Sequence, residues 1–326
     1  MKSSNARRRQ LAPMPALLVG CLAGVTALSG CAAFSDDSAS GDGVHVATAF
    51  YPLQFVTDRV AGDLATVVNL TQPGAEPHDL ELTIAQTADV AEADLVIHEH
   101  GFQPAVDDAV DQNASGDIID AADVVELEEA DHTGDEHGAE DDHAEGEEEE
   151  HEHGDLDPHF WQDPLLMADL GDAVADQLAE IDPGHADAYA ANAEDLRADL
   201  EALDASYASG LTDCERTTVV VSHDAFGYLT KYGLTMEPIA GLSPEAEPTP
   251  RDLARLQALI ESDGVTTVFS ERLAPAELSQ TLADDAGVRT AVLDPIEGLS
   301  DETADEDYLS LMKENLSALQ QANGCP

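Results

Sequence analysis

From His185 to about Ser209 the chain runs through about 25 residues without a proline or glycine. The run follows a breaker, Asp182-Pro183-Gly184. Tyr189, Leu196, Leu200, Leu203 and Tyr207 recur along it at intervals of seven, four, three and four, which puts them on one helical face. Such a helix is ~37 Å long at ~1.5 Å per residue, enough to join two lobes. On both sides of it, short apolar runs alternate with helical segments. Before it lie strand-like Val44–Phe50, Ala65–Asn69, Asp94–His98 and Asp117–Asp120, interleaved with helical Leu53–Val60, Thr83–Ala93 and Phe102–Gln112, and then helical Pro164–Ile181. After it lie strand-like Thr218–Val221, Thr235–Ile239, Val265–Ser270 and Arg289–Leu293. Helical Phe226–Tyr232, a helix opened by Thr249-Pro250, Pro275–Ala286 and Glu306–Gln321 accompany them. The fold class expected is α/β: two lobes, each with a mostly parallel sheet flanked by helices, joined by one long rigid helix.

The ends divide the rest. Lys2, Arg7, Arg8 and Arg9 precede a short apolar run, Leu17–Leu28, and then Leu28-Ser29-Gly30-Cys31, which has the form of a bacterial lipobox. Residues 1–30 are read as a lipoprotein signal peptide, Cys31 as the lipidated first residue, and 31–43 as a polar tether. Residues 44–182 then form the N-terminal lobe, 183–210 the linking helix and 211–326 the C-terminal lobe. Cys214 and Cys325 are the cysteines left over, and an even pair in an exported, oxidising setting reads as one disulfide, with two free thiols the alternative. The location expected is the extracellular face of the cytoplasmic membrane, touched through the lipid anchor alone.

With 13 Lys+Arg against 68 Asp+Glu the net charge is −55, which excludes nucleic acid as a partner and favours cations. Seventeen of the acids and five histidines (His132, His137, His143, His151, His153) fall within residues 126–157, a stretch with no lysine or arginine. Nothing there can build a core, so a mobile acidic loop is expected, its histidines serving as weak auxiliary metal sites or the whole as a solvated spacer. Outside it the chain stays strongly acidic, a composition that suits a high-salt habitat.

Three other histidines sit at strand ends or in adjoining turns, where open α/β folds bind ligands. His78 lies in PGAEPHDLEL, His159 in DPHFWQDP and His223 in SHDAFGY; Asp294 ends a strand in VLDP. Three imidazoles and one carboxylate suit a tetrahedral zinc shell at ~2.0–2.2 Å, whereas manganese favours more oxygen. Each piece also has a plainer reading as turn chemistry. His98-Glu99-His100 follows another strand and offers His98 and His100 as a possible auxiliary metal site or as ordinary polar residues. His45 and His185 read as structural, Phe160 and Trp161 as packing, and Glu271 as a support for the site or a partner of Arg272.

Taken in order, TAFYPLQFV, PGAEPHDLEL, ADLVI, DPHFWQDP, SHDAFGY, FSERL and VLDP make the chain resemble the zinc and manganese solute-binding receptors of bacterial ABC importers. The resemblance covers essentially all of the chain beyond the signal. It implies one tight metal site formed by His78, His159, His223 and Asp294. It also implies a monomeric receptor that delivers its ion to an ABC permease and its ATPase, and no catalysis. His223, where manganese receptors carry a glutamate, and the His-rich acidic loop both favour Zn²⁺. Pro77 stands where some zinc receptors have an acid before the first histidine. The alternatives are a manganese or iron receptor, a surface metal-buffering adhesin, or a secreted zinc hydrolase; no HExxH motif supports the last.

Overall fold

Both halves of the chain build the same four-stranded parallel sheet. The computed structural model describes residues 43–130 and 156–326. Cys31, most of the tether and the five histidines between 132 and 153 lie outside the described residues. In the first half come β1 (Val44–Thr48), α1 (Tyr51–Ala61), β2 (Ala65–Asn69), α2 (Ile84–Glu92), β3 (Leu95–His98), α3 (Pro104–Asn113), β4 (Asp117–Asp120), α4 (Ala121–Val124) and α5 (Pro164–Ile181). After α6 (Ala186–Gly210) come β5 (Thr218–Val221), β6 (Thr235–Pro238), α7 (Pro250–Asp263), β7 (Thr267–Ser270), α8 (Glu277–Ala286), β8 (Arg289–Val292) and α9 (Tyr308–Asn323). The strand orders are β2-β1-β3-β4 and β6-β5-β7-β8, every pair parallel. Order reverses beside β1 and beside β5, so each lobe has a crevice at the carboxyl ends of its strands.

Local chemistry sets the element ends. Thr83 with Gln86 and Thr249 with Asp252 form reciprocal capping boxes at α2 and α7, the latter with Pro250 in the first turn. The Asp163 side chain caps α5 by accepting from Leu165 N. β3 and β7 are buried along their whole length, as apolar strands covered on both faces should be. Two sequence expectations shift. The helix expected from Leu53 already begins at Tyr51, with Pro52 in its first turn, where the missing proline N–H costs nothing. Phe226–Tyr232 is a short 3₁₀ segment over Gly227–Tyr232, closed by Gly233 in the left-handed conformation.

The long helix α6 is packed along its length rather than free-standing. Its buried face, Tyr189, Ala193, Leu196, Leu200, Leu203 and Tyr207, lies against α1 and α5 and reaches α9 at its end. Gly171 permits the approach of α5, since a β-carbon there would sit 3.1 Å from the Leu196 side chain. Tyr207 Oη donates to Met312 O at 2.7 Å, fixing the far end of α6 to α9. One core therefore runs from Phe50 and Val56 through Leu196 to Phe226 and Leu316. A smaller core on the C-terminal sheet gathers Val220, Ile239, Leu256, Ile260 and Leu282. Cys214 and Cys325 are disulfide-bonded, tying the residues after α9 to the segment that leads into β5. No helix among the described residues is long and apolar enough to cross a membrane.

Candidate metal centre

His78, His159 and His223 reach one point from three separate segments. The loop after β2 that carries His78 is pinned by Gln103, whose amide donates to Pro77 O and Thr71 Oγ1, both at 3.0 Å. His159 opens a single 3₁₀ turn, Phe160–Gln162, whose side chains Phe160 and Trp161 are fully buried beneath it. His223 follows β5 directly, at the strand end beside the order reversal.

A fourth donor joins them: Glu297, from the loop after β8. Its Oε1 lies 3.5 Å from His78 Nε2, 3.6 Å from His159 Nε2 and 3.2 Å from His223 Nε2. All four donor atoms lie within 4.8 Å of one another. A tetrahedron with ~2.1 Å arms has edges of ~3.4 Å, so the spacing around the carboxylate already suits one small ion. Every one of these four atoms is buried and has no hydrogen-bond partner. Buried polar atoms are normally paired, and four orphans converging on one point match a bound cation.

The opposite ring nitrogens are occupied. His159 Nδ1 lies 2.7 Å from Asp157 Oδ1, and His223 Nδ1 lies 2.8 Å from Glu271 Oε1. These carboxylates hold a proton on Nδ1, so that Nε2 is the nitrogen each ring turns to the cluster. Burial pulls His159 down, against the pull of Asp157. Burial acts the same way on His223, but Glu271 and Glu297 outweigh it and its imidazole is pushed up to about 10. Burial would also raise Glu297, yet His223 and His78 beside it hold the carboxyl well below the usual range.

Asp294 does not join the cluster, which corrects the expectation that it is the fourth ligand. Its Oδ2 accepts from Arg272 Nε at 2.8 Å and its Oδ1 from the backbone N–H of Ile296 at 2.9 Å. Asn315 grips the Asp294 backbone at both N and O. Asp294 thus shapes the turn that presents Glu297. Within that turn Ile296 has φ 62°, a left-handed conformation that a β-branched residue rarely adopts. The turn is held from the first half of the chain as well, because Trp161 Nε1 donates to Pro295 O at 2.7 Å and the Gln162 amide reaches the same oxygen. The faint sequence sign of Glu297 is a lone acid in the otherwise apolar stretch Pro295–Leu299.

The remaining candidates stand apart. His98 is buried with Nδ1 3.1 Å from Asp107 Oδ1, and His100 Nδ1 lies 3.6 Å from the other Asp107 oxygen. Neither belongs to the three-histidine cluster, and among the described residues no second group of three ligating side chains meets. Glu76 comes close, its Oε1 4.0 Å from His78 Nε2. Glu271 pairs with His223, leaving Arg272 to Asp294. His45 is exposed on β1, and His185 precedes α6 with its ring on Asp182.

Comparison with known proteins finds relatives among zinc-binding proteins. The family described as ZnuA, zinc-uptake complex component A, periplasmic, matches residues 46–322. The zinc-binding lipoprotein AdcA of Streptococcus pneumoniae is 35% identical over 290 residues, 85% of this chain and 55% of that protein. The chain thus spans about half the length of the AdcA relatives it matches. The high-affinity zinc uptake system protein ZnuA of Bacillus subtilis is 32% identical over 314 residues, 94% of this chain and 96% of that protein. Among solved structures, the Zn(II)-bound ZnuA-like domain of Streptococcus pneumoniae AdcA superposes with a TM-score of 0.70 at 31% identity, covering 86% of this chain and 99% of that one.

Proposed function

The chain belongs to the ZnuA family of zinc-uptake components, and from that premise we propose that it is a lipid-anchored extracellular receptor that binds one Zn²⁺ between its two sheets and delivers it to an ABC permease driven by a cytoplasmic ATPase. His78, His159, His223 and Glu297 are the ligands in this reading. The observation that carries it is the convergence of four buried, unpartnered donor atoms on one point. Three imidazole nitrogens and one carboxylate oxygen favour zinc over manganese, which prefers an oxygen-rich shell. Four protein donors complete a tetrahedron, whereas a catalytic zinc keeps a position open for water or substrate. That count supports a receptor that carries its ion and performs no reaction on it.

In this reading the protein works as a monomer, held by lipid on Cys31, with the acidic run around His132, His137, His143, His151 and His153 collecting ions weakly by charge. The test is native mass spectrometry of the full chain, stripped by chelator and offered equimolar zinc, manganese, iron and nickel. One zinc that survives chelator challenge is expected, lost in His223→Ala and in Glu297→Gln while weaker adducts remain. Retention of manganese instead, or unchanged zinc in both variants, would overturn the reading.

A further inference from the structure

The four donors cannot exchange an ion as they stand. The side chains of His159 and His223 are 0% exposed, that of Glu297 1% and that of His78 10%. For an ion to enter or leave, segments from the two halves of the chain must part. Contacts between those segments beside the donors therefore decide how long an ion stays.

Glu297 is stapled to the first half of the chain on both of its sides. Two residues before it, Pro295 O accepts from Trp161 Nε1 at 2.7 Å and from the Gln162 amide. Two residues after it, Leu299 O accepts from the backbone N–H of Gly74 at 2.7 Å. Each staple leaves from the segment of a histidine donor. Trp161 and Gln162 follow His159 in one 3₁₀ turn, and Gly74 lies four residues before His78. Moving Glu297 and His223 away from His78 and His159 breaks these three hydrogen bonds. Trp161 is the centre of the arrangement. Its fully buried ring packs on His159, Phe50 and Phe102 of the first half, with centroids 5.2, 4.9 and 5.3 Å away. A further bond from the second half, donated by the Tyr308 hydroxyl of α9, ends on the Trp161 carbonyl.

We propose that Trp161 is a positioning residue at the centre of a latch between the two halves, closed while the ion is bound, whose indole N–H on Pro295 O holds Glu297 against the histidines and sets the rate of zinc release. The inference rests on the receptor reading above and adds to it the residue that controls how long the ion is kept. A bond made in the closed, loaded state and absent from the open one stabilises the first and leaves the second unchanged. Its loss therefore speeds release, leaves association alone and weakens affinity by the factor by which release is speeded.

The experiment has two readouts, both on the full chain. Trp161 is its single tryptophan, so the indole N–H gives one unambiguous proton–nitrogen signal, and its exchange with deuterium reports opening of the bond. Exchange is expected to be about tenfold or more faster in the chelator-stripped protein than in the zinc-loaded protein. Equal rates would overturn the proposal, because the latch would then not open with loss of the ion. The second readout is stopped-flow zinc exchange with a fluorescent chelator. Replacing Trp161 by benzothienylalanine keeps a bicyclic ring and lacks the N–H, and Gln162→Met removes the neighbouring donor. Tyr207→Phe is the control, removing a buried bond of the same kind between α6 and α9. Release is expected to be about fivefold faster in each of the two latch variants, with association at the wild-type rate, whereas the control lowers Tm and keeps wild-type release. Wild-type release in both latch variants would overturn the proposal, as would an equal acceleration in the control, which would mark general loosening of the fold. A wild-type chain that holds no zinc against the chelator would overturn the receptor reading itself, and the latch with it.

Discussion

The carboxylate oxygen Asp157 Oδ1 accepts from both the backbone N–H of His159, at 2.9 Å, and its ring Nδ1, at 2.7 Å. One acid two residues upstream thus sets both the backbone and the tautomer of a buried histidine. Glu271 does the same for the ring of His223 from a different strand end. Asp157 is itself tied to the second half of the chain, since the Tyr228 hydroxyl donates to its carbonyl oxygen and accepts from Glu128 N.

Removing the Asp157 side chain should therefore weaken the metal site without dismantling it. Asp157→Ala keeps the Tyr228 bond, which is made to the backbone, and frees the His159 ring to rotate. Zinc affinity is expected to fall by about 10–100-fold, read by competition with a calibrated chelator. An affinity equal to the wild type would show that packing against Trp161 alone holds the ring.

Variants at Glu297 and Asp294 test ligation apart from support. Glu297→Gln should lower zinc affinity by about two orders of magnitude or more, since a neutral amide replaces the one anionic donor. Asp294→Ala leaves the Ile296 N–H without its acceptor and the Arg272 guanidinium with Glu314 alone as a hydrogen-bond partner. The cost expected is about 1–3 kcal/mol, seen as a lower Tm in the metal-free protein, with a smaller loss of affinity. The reverse pattern, in which Asp294→Ala abolishes binding and Glu297→Gln does not, would restore the sequence-based ligand set.

That set shows how far the residues alone could be read. Strands such as Ala65–Asn69 and Thr218–Val221, and the helix Pro164–Ile181, appear where the apolar runs and their caps placed them. The three histidines were legible because each follows a strand or sits in a Pro-rich turn. Glu297 was not, because its position depends on Ile296 adopting φ 62°, a conformation nothing in an isoleucine announces. Asp294 has the strand-end position of a ligand, but Arg272, distant in sequence, takes its charge. The packing of α6 was equally hidden, because an amphipathic period fixes which face is buried and not what covers it.

The Cys214–Cys325 link closes a sequence separation of 111 residues. Constraining so long a loop in the unfolded chain stabilises the fold by about 2–5 kcal/mol. The Cys214→Ser, Cys325→Ser double variant should melt several degrees lower and still bind zinc with wild-type affinity, because neither cysteine belongs to the donor cluster. Loss of the tight site in that variant would mean that α9 transmits strain to the Glu297 turn.

The pH dependence follows from which groups carry protons in the metal-free cluster. His223 is pushed up to about 10, against an unfolded value of ~6.5. Its protonated form, paired with Glu271 and Glu297, therefore stabilises the metal-free fold fully below about 6.5, and this contribution is lost as pH rises through about 10. Zinc requires the same nitrogen unprotonated, so ion and proton compete for it. Affinity should then climb steadily from about pH 6.5 to about pH 10 rather than level off just above the ordinary imidazole range. At pH 7.5 each zinc bound should release about one proton. Calorimetry in two buffers of different ionisation enthalpy measures that number directly. Heats that do not depend on the buffer would mean that His223 is already neutral in the metal-free protein and that Glu297 meets the ion without first giving up an imidazolium partner.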